Sequence, residues 1–329
     1  MSEQDSAVGP SGPFRCSDDA RARGDRAVGT APPARNWFLV EQAGGWGPNA
    51  WAGLDLDPEP KEDLEELLED ASARLMLIRR PKGADGAAPA ERDDPVTGRH
   101  WCLIQQEGGG APRVIWGRAA DPDALLAAAG LFADPGLEVP GTIDAPRGSG
   151  DGPEIVLVCT HGRKDVCCAV RGRPVAARAA ELWPAATWEC THTGGDRFAG
   201  NLIVLPEGAC YGGLDPDDVE RVVTAHISGK VEATLLRGPT GYSNQVQAAM
   251  VEAYARFAPL AFDAVHPVAS EGGRDQWLVR LAVREVGTVE VTGHTETTAA
   301  EYLTCKADQR KIMHLPMVDT VTVTGAADS

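Results

Sequence analysis

Apolar residues fall into short runs and stripes, separated by stretches rich in Gly, Pro, Asp and Arg. Asn36-Trp-Phe-Leu-Val-Glu41 is an unbroken apolar run closed by Gly44-Gly-Trp-Gly-Pro48, which predicts a buried strand followed by a tight turn that packs Trp46. From Asp63 to Ala73, leucines at 64, 67 and 68 sit among acids at the spacing of an amphipathic helix. Arg74 to Arg79 returns as a strand, 81–98 reads as a charged surface loop, and strands follow at His100–Gln105 and Arg113–Trp116. Asp121-Pro-Asp123 opens a helix over Ala124–Phe132, because acids suit the positive end of a helix. This order predicts an N-terminal α/β domain over 36–140. A polar arm over 1–35 precedes it and a Gly/Pro/Asp linker over 135–153 follows.

A second unit begins with the wholly apolar strand Glu154-Ile-Val-Leu-Val-Cys159. A helix from Arg173 to Leu182, strands at Ala186–Glu189 and Asn201–Pro206, a turn at Glu207-Gly208 and a helix at Asp215–Ser228 complete it. The order β-α-β-β-α predicts a thioredoxin-like domain over 154–237. The last stretch, 238–329, predicts a helix at Ser243–Phe257 and a β-hairpin from Trp277–Arg284 and Val286–Thr292, a small α+β segment. The fold class expected is α/β.

Length agrees with this division, since 329 residues exceed one average core and 43% hydrophobic content can fill two or three. Acids outnumber bases 48 to 31, for a formal charge of −17. Such a surface repels phosphate backbones and anionic lipid, so neither nucleic acid nor membrane is expected as a partner; a protein with a basic docking patch is. With no apolar run of spanning length and no secretory pattern near the N-terminus, a cytoplasmic location is expected. In that compartment the eight cysteines are expected as free thiols or ligands. Cys16, Cys102 and Cys305 are scattered and read as buried thiols, whereas Cys159, Cys167, Cys168, Cys190 and Cys210 fall within 52 residues.

Those five cysteines mark the candidate chemistry. Cys159 ends a strand, and Cys168 follows a loop that also carries Arg163 and Lys164, cations that lower thiol pKa values. Thiolates are soft donors suited to iron–sulfur clusters. Downstream, Glu189-Cys-Thr-His-Thr-Gly-Gly-Asp196 places Cys190 and His192 two apart, on one face of an extended chain. The two glycines allow a tight turn that folds Asp196 back beside His192.

Cys159-Thr-His-Gly-Arg-Lys-Asp-Val-Cys-Cys168, His192-Thr-Gly-Gly-Asp-Arg-Phe-Ala-Gly-Asn201 and Pro206-Glu-Gly-Ala-Cys-Tyr-Gly-Gly-Leu214 resemble the bacterial sucrase/ferredoxin-like proteins. Phe14-Arg-Cys-Ser-Asp18, the stretch from Trp37 to Ala50 and Leu236-Arg-Gly238 extend the resemblance over most of the chain. It implies a 2Fe–2S cluster in a thioredoxin-like ferredoxin fold, with two cysteines on one iron and two histidines of an H-x-G-G-H motif on the other. Cys159, Cys168 and His192 match directly, but Asp196 stands where the second histidine belongs. Cys190 or Asp196 completes the set, and Cys167 replaces Cys168 if the loop register shifts by one. His161 is expected beside the ligands or in solvent, and Cys210 in the core. No catalytic residues are assigned, and no sucrase activity is expected, because the paired carboxylates of glycosidases are missing from the pattern.

The expected function is therefore electron transfer. Three alternatives use the same residues: a redox or iron sensor, a thiol–disulfide oxidoreductase using the vicinal Cys167-Cys168 pair, and a structural zinc site. The lack of any C-x-x-C weighs against the oxidoreductase.

Overall fold

The computed structural model describes residues 13–82, 98–106, 111–143 and 155–326. Of the expected arm, loop and linker, 1–12, 83–97 and 144–153 lie outside the described residues.

The architecture is mixed α/β, with one large mixed sheet and one small antiparallel sheet. Helix α1 spans Cys16–Arg23, strand β1 Asn36–Glu41, helices α2 and α3 Ala50–Gly53 and Pro58–Asp70, strands β2, β3 and β4 Ala73–Arg79, Arg99–Gln105 and Arg113–Ala119, and helix α4 Pro122–Gly130. After the short strand β5 (Thr142–Ile143) come β6 (Ile155–Cys159), α5 (Val166–Leu182), β7 (Thr187–Cys190), β8 (Leu202–Leu205), β9 (Ala209–Tyr211), α6 (Pro216–Ile227) and β10 (Leu236–Pro239). Helix α7 (Asn244–Arg256) leads into β11 (Val265–Gly272), β12 (Gln276–Val283), β13 (Gly287–Thr297) and β14 (His314–Gly325).

The large sheet has the order β10-β9-β8-β6-β7-β2-β1-β3-β4-β5, and only the β1–β2 and β6–β7 pairs are parallel. Antiparallel pairing of Ile78 with Cys190 and Arg79 with Glu189 joins the two predicted units into this one sheet. Alternation of side chains along a strand feeds separate cores. Val156 and Val158 of β6 pack with Val175, Ala179, Val219 and Val223 of α5 and α6. Phe38 and Val40 of β1 pack with Leu64 and Leu68 of α3 and Leu125 of α4. The opposite faces meet in a third core of Trp37, Leu39, Ile155, Leu157, Cys159, Trp188 and Ile203. Trp116 of β4 stacks on Trp188 of β7 with ring centroids 5.8 Å apart. Four strand spacings separate β4 from β7, about 19 Å in a flat sheet, so the sheet curls until its halves face each other.

Three expectations need correction. Residues 13–35 are not a free arm: α1 buries Cys16, Ser17 and Ala20, and Gln247 of α7 accepts from Ala31 N and donates to Ala31 O at 3.0 and 2.8 Å. The sequence CSDDARAR has no apolar stripe, so hydrophobic periodicity does not reveal this helix. Helix α5 runs from Val166, so the expected helix over Arg173–Leu182 extends back without a break to the Cys167-Cys168 pair that the sequence places at a helix entrance. Asp165 caps it by accepting from Cys167 N at 2.9 Å, and Pro174 lies inside it. The C-terminal region holds four strands in the order β11-β12-β13-β14 rather than a hairpin alone. Trp277, Val279, Leu281, Val289 and Val291 alternate inward onto α7, which also packs on β10. Among the described residues no helix is long and apolar enough to cross a membrane.

Candidate metal centre

The site forms where β6 and β7, side by side and parallel, both end on cysteines, Cys159 and Cys190. After Cys159 the chain loops through 160–164 and re-enters helix at Val166, so Cys168 lies in the first turn of α5. Helix N-termini favour negative charge, which suits a thiolate. After Cys190 the chain keeps touching β2, since Thr191 N donates to Leu77 O at 2.9 Å and Leu77 N donates to Thr191 Oγ1 at 3.1 Å. His192 then turns inward. The Sγ atoms of Cys159 and Cys168 and a ring nitrogen of His192 lie within 4.8 Å of one another.

Both backbone groups of His192 are fixed. Its N–H donates to His161 Nδ1 at 3.1 Å, and its carbonyl accepts from Arg74 at 2.7 Å. His161 is buried, donates through Nε2 to Gly47 O at 2.7 Å, and meets Trp46 edge-on. The Gly44–Pro48 turn thus supports the ligand loop as well as packing Trp46. Gly194 and Gly195 take positive φ angles of 96° and 76°, the region glycine enters without strain. A Cβ on Gly194 would lie 2.3 Å from Pro32 Cγ. Buried Arg237 donates to Gly194 O and Asn201 Oδ1, both at 2.8 Å, and Asn201 donates to Gly195 O at 3.0 Å.

This turn returns Asp196 to the ligands. Its Oδ1 accepts from Cys168 Sγ at 3.0 Å and lies 2.9 Å from His192 Nδ1, without the alignment of a hydrogen bond. The charges suit ligation. A hydrogen bond from Cys168 lowers the Cys159 thiol well below its usual range, against burial and with help from His192. Cys168, sharing that proton, is raised. Burial disfavours the His192 imidazolium, but Asp196 and Cys159 outweigh it and push the imidazole up to about 9. Burial also opposes ionisation of Asp196, and the facing His192 overrides it to hold the carboxyl low.

The other candidates are elsewhere. Cys190 and Cys210 lie in the core between the sheet halves, where burial pushes both thiols up. Neither Cys190 nor Asp196 is within 4.8 Å of all three of Cys159, Cys168 and His192, but Asp196 touches Cys168 and His192. Cys167 points away from Cys168 into a second group with Cys16, Cys305 and Asp165. Consecutive helical residues diverge by about 100°, and that is the signal by which the Cys167-Cys168 pair could have been read as serving two places. Burial and the neighbouring thiols set this group's charges. Hydrogen bonding from Cys16 holds Cys167 down at about 5 despite burial, and burial raises Cys305 to about 12. Buried Arg237 and partly buried Arg74 also hold the ligand loop; the sequence assigns neither a role, and Arg237 stands there only within Leu236-Arg-Gly238.

The sucrase/ferredoxin-like family profile matches residues 28–238, well over half of the chain. The chain belongs to the sucrase/ferredoxin-like family. The chain is also 33% identical over 84 residues to altered inheritance of mitochondria protein 32 of Meyerozyma guilliermondii. That match covers 22% of this chain and spans 30% of the relative's length. No solved structure matches. The matched family region contains Cys159, Cys168, His192 and Asp196, whereas Cys16 and Cys305 lie outside it.

Proposed function

We propose that this chain is an electron-transfer protein holding a 2Fe–2S cluster on Cys159, Cys168, His192 and Asp196. The observation that carries the reading is the convergence of two thiols and an imidazole from two separate loops, with Asp196 against both Cys168 and His192. The donor set suits the group. Thiolates are the usual ligands of such clusters, and imidazole replaces them in Rieske-type centres. Thr160 Oγ1 and Thr193 Oγ1, each next in sequence to a ligand, are buried without a hydrogen-bond partner and have protons to offer a charged group. When bound, the cluster would supply one-electron redox chemistry.

The chain's own residues then have distinct tasks. Arg74 and Arg237 fix the loop that carries His192, and Arg74 places positive charge near Cys159. The His192 side chain keeps 26% of its surface exposed, so it is the ligand nearest solvent and the natural side for a redox partner. The strand order β7-β6-β8-β9, with β6 and β7 parallel and α5 and α6 on one face, supports a thioredoxin-like arrangement. The charge of −17 favours a partner with a basic docking surface, met in the cytoplasm.

Anaerobically purified protein should be brown-red, with about two irons and two sulfides per chain. The test is metal and sulfide analysis together with a visible spectrum. Colourless, iron-free protein would overturn the reading.

A further inference from the structure

Cys16, Cys167 and Cys305 come from three remote parts of the chain and close around one carboxylate. Cys16 lies in the first turn of α1, Cys167 in the first turn of α5, and Cys305 in the irregular segment between β13 and β14. Cys167 Sγ is 3.3 Å from Cys305 Sγ, which is 3.6 Å from Cys16 Sγ. Cys16 Sγ in turn lies 3.7 and 3.8 Å from Asp165 Oδ1 and Oδ2. The four donor atoms all lie within 4.8 Å of one another. Cys16, Asp165 and Cys167 are buried, while Cys305 is partly covered.

Two bland readings fit this geometry poorly. A disulfide needs sulfurs about 2.0 Å apart, and no pair here approaches that. Capping α5 accounts for Asp165 Oδ1, but not for three thiols that close around a carboxylate with no exposed surface. No cation supplies Asp165 with a partner in the group. Its oxygens accept from the N–H groups of Cys167 at 2.9 Å and Cys305 at 2.6 Å, which orients them, and their remaining lone pairs face the Cys16 thiol, whose proton an ion would displace.

We propose that Cys16, Cys167, Cys305 and Asp165 form a structural zinc site, separate from the redox centre. A tetrahedral zinc with Zn–S bonds of about 2.3 Å sets its sulfurs about 3.8 Å apart and each sulfur about 3.5 Å from a ligating oxygen. The sulfur–sulfur separations of 3.3 and 3.6 Å fall short of the first value and the sulfur–oxygen separations of 3.7 and 3.8 Å exceed the second, so an ion is accommodated by shifts of no more than about 0.5 Å. Three thiolates and a carboxylate close the coordination shell, as structural zinc sites do and catalytic ones do not. The site fastens α1 and the segment between β13 and β14 to the start of α5. Regular pairing within the Cys305 segment is limited to the bridge between Glu301 and Lys311, and the ion would add to the contacts of Lys306 with Arg163 and of Tyr302 with Phe14. Backbone N–H groups hold the carboxylate that ligates the ion, as expected around a metal.

The test is zinc and iron analysis of the anaerobically purified full chain, with X-ray absorption at the zinc edge. About one zinc per chain, with three sulfurs near 2.3 Å and one oxygen near 2.0–2.2 Å, is expected. The Cys16→Ser/Cys305→Ser double variant should lose at least about nine-tenths of its zinc while keeping the iron and visible spectrum of the parent. Cys159→Ser should keep its zinc. The absorption measurement on the unmodified chain stands even if the double variant does not fold. Zinc-free protein, a shell with fewer than three sulfurs, a Cys167–Cys305 disulfide, or zinc lost only in Cys159→Ser would each overturn the proposal. Zinc and iron are counted separately, so failure here leaves the iron–sulfur reading standing, and the reverse.

Discussion

Cys168 faces Cys159, His192 and Asp196 at the ends of two buried strands, whereas its neighbour Cys167 faces Cys16, Cys305 and Asp165 at the edge of the fold. The two thiol groups are supported by different means. Around the first, hydrogen bonds at least partly shielded from solvent dominate: Arg237 holds Asn201 and the Gly194 carbonyl, Arg74 holds the His192 carbonyl, and His161 receives the His192 N–H. Around the second, half-exposed ion pairs hold α1, from Arg21 to Asp215 at 2.8 Å and from Arg171 to Asp18 at 2.6 Å. Buried contacts fix a geometry through packing, while exposed pairs contribute little and are screened by salt. The first group is thus preorganised by the fold, and the second depends on what it binds.

Adjacent substitutions break or sharpen this contrast most strongly. Cys168→Ser should reduce bound iron by about tenfold or more and bleach the visible spectrum, since it removes a thiolate ligand. Cys167→Ser should leave both near the parent's values. Iron content and absorbance of the two variants, prepared side by side, check this. Equal bleaching by both would mean that the two groups act as one centre.

A smaller effect is expected from the turn between His192 and Asp196. Gly194→Ala puts a side chain at φ 96° and drives its Cβ into Pro32. Strain of this kind costs about 1–3 kcal/mol. The denaturant midpoint should fall accordingly, and iron should dissociate faster while zinc is retained. An unchanged midpoint would show that the loop adapts and that the first group is less rigid than its contacts imply.

The same contrast governs what the sequence discloses. The first group's donors sit on two contiguous motifs beside the apolar strands β6 and β7, so spacing brings them together on paper. The second draws on residues 289 positions apart, and no local pattern links Cys16 to Cys305. Elements follow the same rule. Strands β1 and β6, buried on both faces, read as plain apolar runs, and the Leu64/Leu68 stripe reads as helix α3. Strand β9 is only three residues long, β10 contains Gly238 and Pro239, and β11 and β14 expose most of their side chains; none carries a clear apolar signal. The curl that stacks Trp116 on Trp188 is a long-range property that no window of sequence contains.

The mildest prediction concerns the ion pairs that seat α1. Arg21 first, then Arg171, holds the Asp215 carboxyl below the usual carboxylate range, against the opposing push of burial. A carboxyl depressed in the folded state adds stability above its unfolded pKa, near 3.9, and that stability is lost as pH falls through the folded value. Asp215→Asn should therefore cost no more than about 1 kcal/mol near neutral pH, and less in high salt. The difference between variant and parent should shrink on acidification below about pH 4, where the parent's own carboxylate becomes protonated. Because Arg21 shares α1 with Cys16, the substitution should also speed zinc release to a chelator while iron release stays unchanged. Chelator-trapping rates at two salt concentrations measure both. Faster iron release with zinc unaffected would reverse the assignment of rigid and loosely held regions, because it would mean that the exposed pairs support the redox site instead.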